Sequence, residues 1–304
     1  MTDPLVSILM TAYNRERFIS EAIESVIASI YQNWELIIVD DKSSDKTVEI
    51  ARLYEAEDKR IIVKTNEKNL GDYQNRNIAA GYADGKYIKY LDSDDIIYPH
   101  GLEVMVRAME QFPEAGIGLC YNNYEEEIQL PIKLTSEEAY QHHFFKKGLL
   151  YVGPSGSIYN REFFFKTGKF SKYGVASDYE FHLRGTALKP LVLFQRDLIW
   201  WRQHDGQEYI NRENEYLEQN YKILTSVFKS QHLPLNKKLA HRATDNYQKS
   251  YSRKILKRIV LFQFRKAKSI IRFTDISFRY YILALLPKKL RNLFYTKPLF
   301  SDNF

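Results

Sequence analysis

The 304-residue chain predicts an α/β fold, a mostly parallel sheet flanked by helices, followed by a basic, helical C-terminal extension. Three observations predict it. Short apolar runs alternate with amphipathic segments through the first 121 residues, the pattern of crossover units on a parallel sheet. Polar residues collect where the predicted strands end. The charge also changes sign near residue 229: residues 1–228 hold 26 Lys+Arg and 35 Asp+Glu, a balance of −9, and residues 229–304 hold 18 and 3, a balance of +15, giving +6 in all.

The elements follow in order. Residues 6–10 form a short apolar run that reads as a buried strand. Residues 18–30 place Ile19, Ala22, Ile23, Val26, Ile27 and Ile30 at helical spacing. A second strand, 34–39, runs into Asp40 and Asp41, and a helix over 47–56 follows with Asp45 as its candidate N-cap. The alternation continues with strand 61–64, helix 75–83, strand 87–91, helix 102–111 and strand 117–121. Between 122 and 211 the rhythm weakens, leaving strands near 155–159 and 191–201 and helices near 161–167 and 178–188. From Glu213 onward the chain reads as helices. The predicted organisation is a domain of residues 1–228, with halves 1–121 and 122–228, and an extension of residues 229–304.

Composition narrows the function. An apolar fraction of 44% and a charged fraction of 27% fit a soluble globular protein. The single cysteine, Cys120, excludes an intrachain disulfide and a multi-cysteine zinc site, and fits a reducing, cytoplasmic setting. The N-terminal Met1-Thr2-Asp3-Pro4 lacks the basic region of a secretory signal. No window approaches the roughly 18 unbroken apolar residues of a spanning helix. No Gly-x-Gly-x-x-Gly follows the first strand and no Gly-Lys-Ser/Thr loop is present, so dehydrogenase and P-loop readings lose support. The basic extension carries no nucleic-acid motif, and nucleic acid is not expected as a partner.

The strongest local signal is Tyr87-Ile-Lys-Tyr-Leu-Asp92-Ser93-Asp94-Asp95, where a buried strand runs into three acids within four residues. Such carboxylates repel one another unless a divalent cation sits among them, and oxygen donors suit Mg2+ or Mn2+. A solvated turn with Asp95 capping the next helix is the competing reading.

Four segments taken together carry more than any one. Val6-Ser-Ile-Leu-Met-Thr11-Ala12-Tyr13-Asn14-Arg15, Leu36-Ile-Ile-Val-Asp40-Asp41-Lys-Ser43-Ser44-Asp45, Asn69-Leu-Gly71 with Arg76-Asn77, and Leu91-Asp-Ser-Asp-Asp95 resemble, in order and spacing, the family 2 glycosyltransferases of the GT-A fold. The core of the likeness covers about residues 5–125, and a weaker likeness reaches roughly residue 205. The resemblance implies that Thr11, Ala12 and Tyr13 meet the donor nucleotide, that Asp41 reads the uracil ring of a UDP-sugar, and that Arg76 lies near the nucleotide. It also implies that Asp92 and Asp94 form the metal-binding pair, Asp94 as direct ligand and Asp92 as a ligand or a donor-sugar contact. The chemistry agrees: uracil offers one N–H that a carboxylate accepts, and a tyrosine ring can cover the base.

Transfer with inversion needs a base for the acceptor hydroxyl. Asp178, in Ser177-Asp178-Tyr179-Glu180, lies where the family places a Glu-Asp base motif. Ser177 stands in place of the usual Glu, and Glu180 is the alternative base. Trp200-Trp201-Arg202-Gln203-His204 matches a strand end that faces the diphosphate in related enzymes, with Arg202 as a phosphate clamp and His204 as a further metal ligand. Gly153-Pro154-Ser155-Gly156 is read as a turn on the acceptor side, and His142-His143 as surface residues. The Gln-x-x-Arg-Trp motif of processive synthases is absent, which favours addition of one sugar per encounter.

The expected activity is transfer of one sugar from a nucleotide-sugar to a sugar or lipid-linked acceptor, in polysaccharide or glycolipid synthesis. A catalytically silent nucleotide-sugar-binding protein on the same fold is the alternative. For the extension, residues 251–272 interleave Arg253, Lys254, Lys257, Arg258, Arg265, Lys266, Lys268 and Arg272 with apolar side chains, and Pro287-Lys288-Lys289-Leu-Arg291 follows. This pattern suits an interfacial helix on the anionic inner face of the cell membrane. Packing on the catalytic domain is the competing arrangement.

Overall fold

The computed structural model describes residues 3–121, 129–171, 174–204 and 212–285. Its elements in order are β1 (Val6–Ala12), α1 (Ile19–Ile27), β2 (Trp34–Asp40), α2 (Thr47–Glu57), β3 (Ile61–Thr65), α3 (Asp72–Gly81), β4 (Tyr87–Tyr90), β5 (Ile96–Ile97), α4 (Gly101–Gln111) and β6 (Ile117–Tyr121). Then come β7 (Ile132–Leu134), α5 (Ser136–Phe145), β8 (Ser157–Asn160), α6 (Arg161–Lys166), α7 (Ser177–Thr186), β9 (Leu191–Gln195) and β10 (Ile199–Trp200). Four helices end the described chain: α8 (Glu213–Lys229), α9 (Lys237–Val260), α10 (Phe264–Phe273) and α11 (Phe278–Leu285).

Eight strands form one sheet in the order β3-β2-β1-β4-β8-β6-β9-β7, and β5 pairs with β10 in a small antiparallel ribbon. Six strands of the large sheet run the same way, and β8 and β7 oppose them. The predicted α/β fold with a mostly parallel sheet and C-terminal helices is therefore present. Alternation along each strand divides the sheet's two faces. Ile8, Met10, Leu36, Ile38 and Leu91 join the main core with Ile23, Val26, Met105 and Val106 from α1 and α4. On the other face Tyr90, Tyr159, Phe164, Phe170 and Phe181 meet at ring separations of 4.9–6.2 Å, so part of the chain's 14% aromatic content is core.

Local chemistry sets several boundaries. Asp45 accepts the Thr47 N–H at 3.0 Å, so it serves α2 although the residue in the N-cap position is Lys46. The single strand expected over 191–201 is two, β9 and β10, separated by Arg196–Leu198 and paired in different sheets. Helix α5, which the weak rhythm of this region does not predict, is opened by a capping box between Thr135 and Glu138.

The chain divides into two compact units, residues 1–212 with 229–235, and residues 213–228 with 236–304. The division thus falls before Glu213, whereas the charge changes sign near 229. In the second unit Leu239, Ala243, Tyr247, Tyr251 and Ile255 recur every fourth residue along α9 and are all buried. Tyr221 of α8 packs on Tyr247 and Tyr251 at 5.4 and 5.0 Å. The interfacial helix expected over 251–272 is interrupted: α9 ends at Val260 and α10 begins at Phe264. The motif at 287–291 lies outside the described residues.

Candidate active site

Strands β2 and β3 lie to one side of β1 and β4 to the other, so the chain reverses its order at β1. In open α/β sheets the carboxyl ends of the strands at such a reversal leave a crevice for ligands. Here three loops meet at the end of β1. The Ala12 carbonyl accepts the Asp41 N–H at 2.8 Å, and the Thr11 carbonyl accepts the Ser93 hydroxyl at 2.9 Å. Tyr13 stands at the lip, 47% exposed. Asn14 turns the chain in the left-handed region at φ 52° and accepts the Ser44 N–H at 2.9 Å.

Asp40 and Asp41 are both buried. Asp40 accepts the Ser43 N–H at 2.9 Å and so shapes its own loop. The Asp41 carboxylate accepts the Asn66 side-chain N–H at 2.8 Å, the Leu70 N–H at 2.9 Å and the Gly71 N–H at 2.8 Å. Gly71 sits at φ 84°, where a side chain is strained, which explains a glycine at this turn. Asp41 thus holds the 66–71 turn from the end of β2.

The three acids after β4 converge: Asp92, Asp94 and Asp95 bring carboxylate oxygens within 4.8 Å of one another. Each has a defined cationic or N–H partner. Arg76, buried on α3, lies 2.8 Å from Asp92 Oδ1 and 2.8 Å from Asp72 Oδ1. Arg15 Nε donates to Asp94 Oδ2 at 3.1 Å, and His204 Nε2 lies 3.0 Å from the same oxygen. The Arg202 N–H donates to Asp95 Oδ1 at 3.1 Å and its Nε to the Asp94 carbonyl at 2.9 Å. Its guanidinium lies over the Phe18 and Trp200 rings at 5.1 and 4.7 Å. Burial, with Asp92 as neighbour, pushes the Asp95 carboxyl up to about 7. So Arg76, Asp92, Asp94, Arg202 and His204, far apart in sequence, meet at one place.

Asp178 lies in the first turn of α7 and accepts the N–H of its neighbour Tyr179 at 2.7 Å. It does not cap the helix, whose N-cap position is held by Ala176 with no side-chain bond. Burial pushes its carboxyl up to about 6, against the pull of the Tyr73 hydroxyl and the nearby Arg76 charge. Arg76 therefore links Asp178 electrostatically to the acid cluster. Ser177, in place of the expected Glu, bonds the Ser171 and Gly174 carbonyls at 2.9 Å each and closes the loop ahead of α7. Glu180 is committed to Arg184, at 2.8 and 3.0 Å.

Four contributors do not stand out in the sequence. Arg15 shows there only as the end of a motif, and Tyr73 reaches Asp178 only after α3 and α7 pack. Lys89 is fully buried in β4, where its ammonium bonds the Tyr90 and Ser155 carbonyls and burial lowers it to about 8. Ser155 in turn accepts the Asp92 N–H at 2.9 Å, so the 153–156 turn supports the acid loop. A lysine inside an apolar strand, three residues before an acid cluster, is the signal that points to it. His142 and His143 are not surface residues: both are buried, at 3.0 Å from the Tyr121 and Tyr179 hydroxyls respectively.

The strand-end crevice of this α/β sheet, with its clustered acids and arginines, is a candidate ligand site. The description "Glycosyl transferase family 2" matches residues 7–186 of this 304-residue chain, and the chain belongs to that family. Over 125 residues it is 44% identical to the UDP-Glc:alpha-D-GlcNAc-diphosphoundecaprenol beta-1,3-glucosyltransferase WfgD of Escherichia coli, covering 41% of this chain and 47% of that protein. The chain thus spans about half the length of that relative. Staphylococcus aureus TarS 1–349 in complex with UDP-GlcNAc shares the fold at TM-score 0.66 and 18% identity, over 95% of this chain and 85% of that one. The mannosyltransferase PcManGT of Pyrobaculum calidifontis, in complex with GDP-Man and Mn2+, does so at TM-score 0.62 and 14% identity, over 97% and 81%.

Proposed function

We propose that the protein is a metal-dependent, inverting glycosyltransferase that moves one sugar from a UDP-sugar to a sugar or lipid-linked acceptor hydroxyl. The observation that carries this reading is the convergence of Asp92, Asp94 and Asp95 with Arg76, Arg202 and His204 beside the end of β1. The donor set fits a hard divalent cation, Mn2+ or Mg2+. Asp92, Asp94 and Asp95 are the carboxylates that would hold it, with Arg76 beside Asp92 and with Arg15 and His204 beside Asp94. His204 shares that site through Asp94. A cation held there would offset the charge of the donor diphosphate as it leaves.

The chain's own groups do the rest. Thr11, Ala12 and Tyr13 line the base and ribose side of the crevice, Asp41 borders the uracil, and Arg76 steadies Asp92. Arg202, whose Nη2 pairs with Glu21 at 2.5 Å, is the phosphate clamp, and the donor diphosphate would compete with Glu21 for it. Asp178 takes the proton from the acceptor hydroxyl, and its raised pKa suits a base working near neutrality. Glu180 is already neutralised by Arg184, which favours Asp178 for the role. TarS carries UDP-GlcNAc and PcManGT carries GDP-Man, so the fold admits either base, and the UDP reading rests on Asp41, Tyr13 and Arg76. Residues 229–304 hold the enzyme at the anionic cytoplasmic face of a membrane, where a lipid-linked acceptor would lie. No helix among the described residues is long and apolar enough to cross a membrane. The test is a panel of nucleotide-sugars with Mn2+, scored by release of nucleoside diphosphate. Release from UDP-sugars is expected, and release only from GDP-sugars would overturn the donor assignment.

A further inference from the structure

Helix α9 ends in a hydrogen-bonded cap normally built on glycine. The Gln263 N–H donates to the Arg258 carbonyl at 2.7 Å and the Phe262 N–H to the Ile259 carbonyl at 3.0 Å, the pair of bonds of a Schellman motif. Phe262 occupies its left-handed position at φ 57°. A bulky residue is strained there, where glycine is not. Nothing among the described residues compensates, because Phe262 is 83% exposed. Its neighbours are exposed too: Val260 at 72%, Leu261 at 53% and Phe264 at 58%. Phe262 and Phe264 meet edge to face at 6.1 Å, forming one apolar tip.

The surrounding charge says what such a tip is suited to meet. Residues 246–274 contain nine Lys+Arg and no Asp or Glu. Exposed Lys257 precedes the tip and exposed Arg265, Lys266 and Lys268 follow it, while Arg258 is turned to Glu213 of α8 at 3.1 Å. A protein partner that buried this corner would need a dense acidic rim around an apolar pocket. An anionic bilayer supplies both at once, headgroup charge above and hydrocarbon below. We propose that the α9–α10 corner, residues 259–264, inserts into an anionic phospholipid surface, with Phe262 and Phe264 as the inserted side chains and the flanking cations on the headgroups. This rests on the membrane-facing reading of the extension and adds an insertion point to it.

The test uses the full-length protein and unilamellar vesicles, either phosphatidylcholine alone or phosphatidylcholine with phosphatidylglycerol. Phe262→Gly relieves the left-handed strain while removing the wedge. It is expected to raise the melting temperature, to weaken binding to phosphatidylglycerol vesicles by roughly tenfold or more, and to leave donor turnover in solution unchanged. Phe262→Trp is expected to bind as the parent does and to gain a blue-shifted emission component with anionic vesicles only. If the parent and Phe262→Gly bind anionic vesicles equally and the tryptophan shows no shift, the cations act alone and the insertion is refuted. If the parent ignores anionic vesicles at low salt, the membrane reading fails with it. Self-association of the parent that Phe262→Gly abolishes, without vesicle binding, would assign the corner to a second copy instead.

Discussion

Asp178 keeps its carboxyl in surroundings that disfavour its charge, and this has two separable consequences. Its folded pKa of about 6 lies above the ordinary 3.8, so the proton is held more tightly in the fold. The associated stability is fully present below the unfolded value and is lost as pH rises through about 6. Asp178→Asn should therefore raise the melting temperature at pH 8, by the equivalent of up to about 3 kcal/mol, with the gain shrinking toward pH 4. The same variant should slow transfer by about 100-fold or more with UDP binding preserved, and transfer by the parent should fall as pH drops below about 6. Unchanged transfer by Asp178→Asn would remove the base. Asp41 is a different case, because it accepts three N–H groups of the 66–71 turn. Asp41→Ala should weaken UDP binding, read by titration calorimetry, by about 1–3 kcal/mol. Asn66→Ala separates the two contributions: if it weakens UDP as much as Asp41→Ala does, Asp41 acts through the turn and not on the base.

Among the elements, α7 shows most clearly how neighbours in sequence divide their work. Ser177 closes the preceding loop, Asp178 stays available, and Glu180 turns to Arg184, which also bonds the Thr167 and Lys169 carbonyls. Glu180→Gln should lower stability by about 0.5–1 kcal/mol in thermal denaturation and leave kcat within about twofold. A dead Glu180→Gln beside an active Asp178→Asn would exchange the roles. The strand ends are legible in the sequence because adjacent acids directly after a buried apolar run must be held by a ligand, a cation or a turn. Strand β6 matches its predicted span residue for residue. The 153–156 turn is visible as a turn, but its support of the acid loop depends on β8 inserting between β4 and β6, a pairing no local pattern encodes. His142 and His143 read as surface residues because α5 has almost no apolar stripe of its own. The break at Phe262 carries no Gly or Pro to announce it.

At the scale of the molecule, the site residues Thr11 through His204 all lie in the first compact unit, and the charge excess lies mainly in the second. Cutting the chain at Phe228 would leave α8 without the α9 tyrosines that bury Tyr221, so the extension is better probed by substitution than by truncation. Charge reversal of Lys257, Lys266 and Lys268 together should abolish salt-sensitive vesicle binding while nucleoside diphosphate release from soluble donor persists. Vesicle binding that survives this reversal would contradict an electrostatic attachment. Whether the acid cluster works through a divalent cation on a UDP-sugar is decided by nucleoside diphosphate release from UDP-sugars before and after chelation, with the parent and with Asp94→Ala. Release by the parent is expected to stop on chelation and return with Mn2+ or Mg2+, and Asp94→Ala is expected to lose about 100-fold or more. Full turnover by Asp94→Ala in the presence of chelator would contradict it.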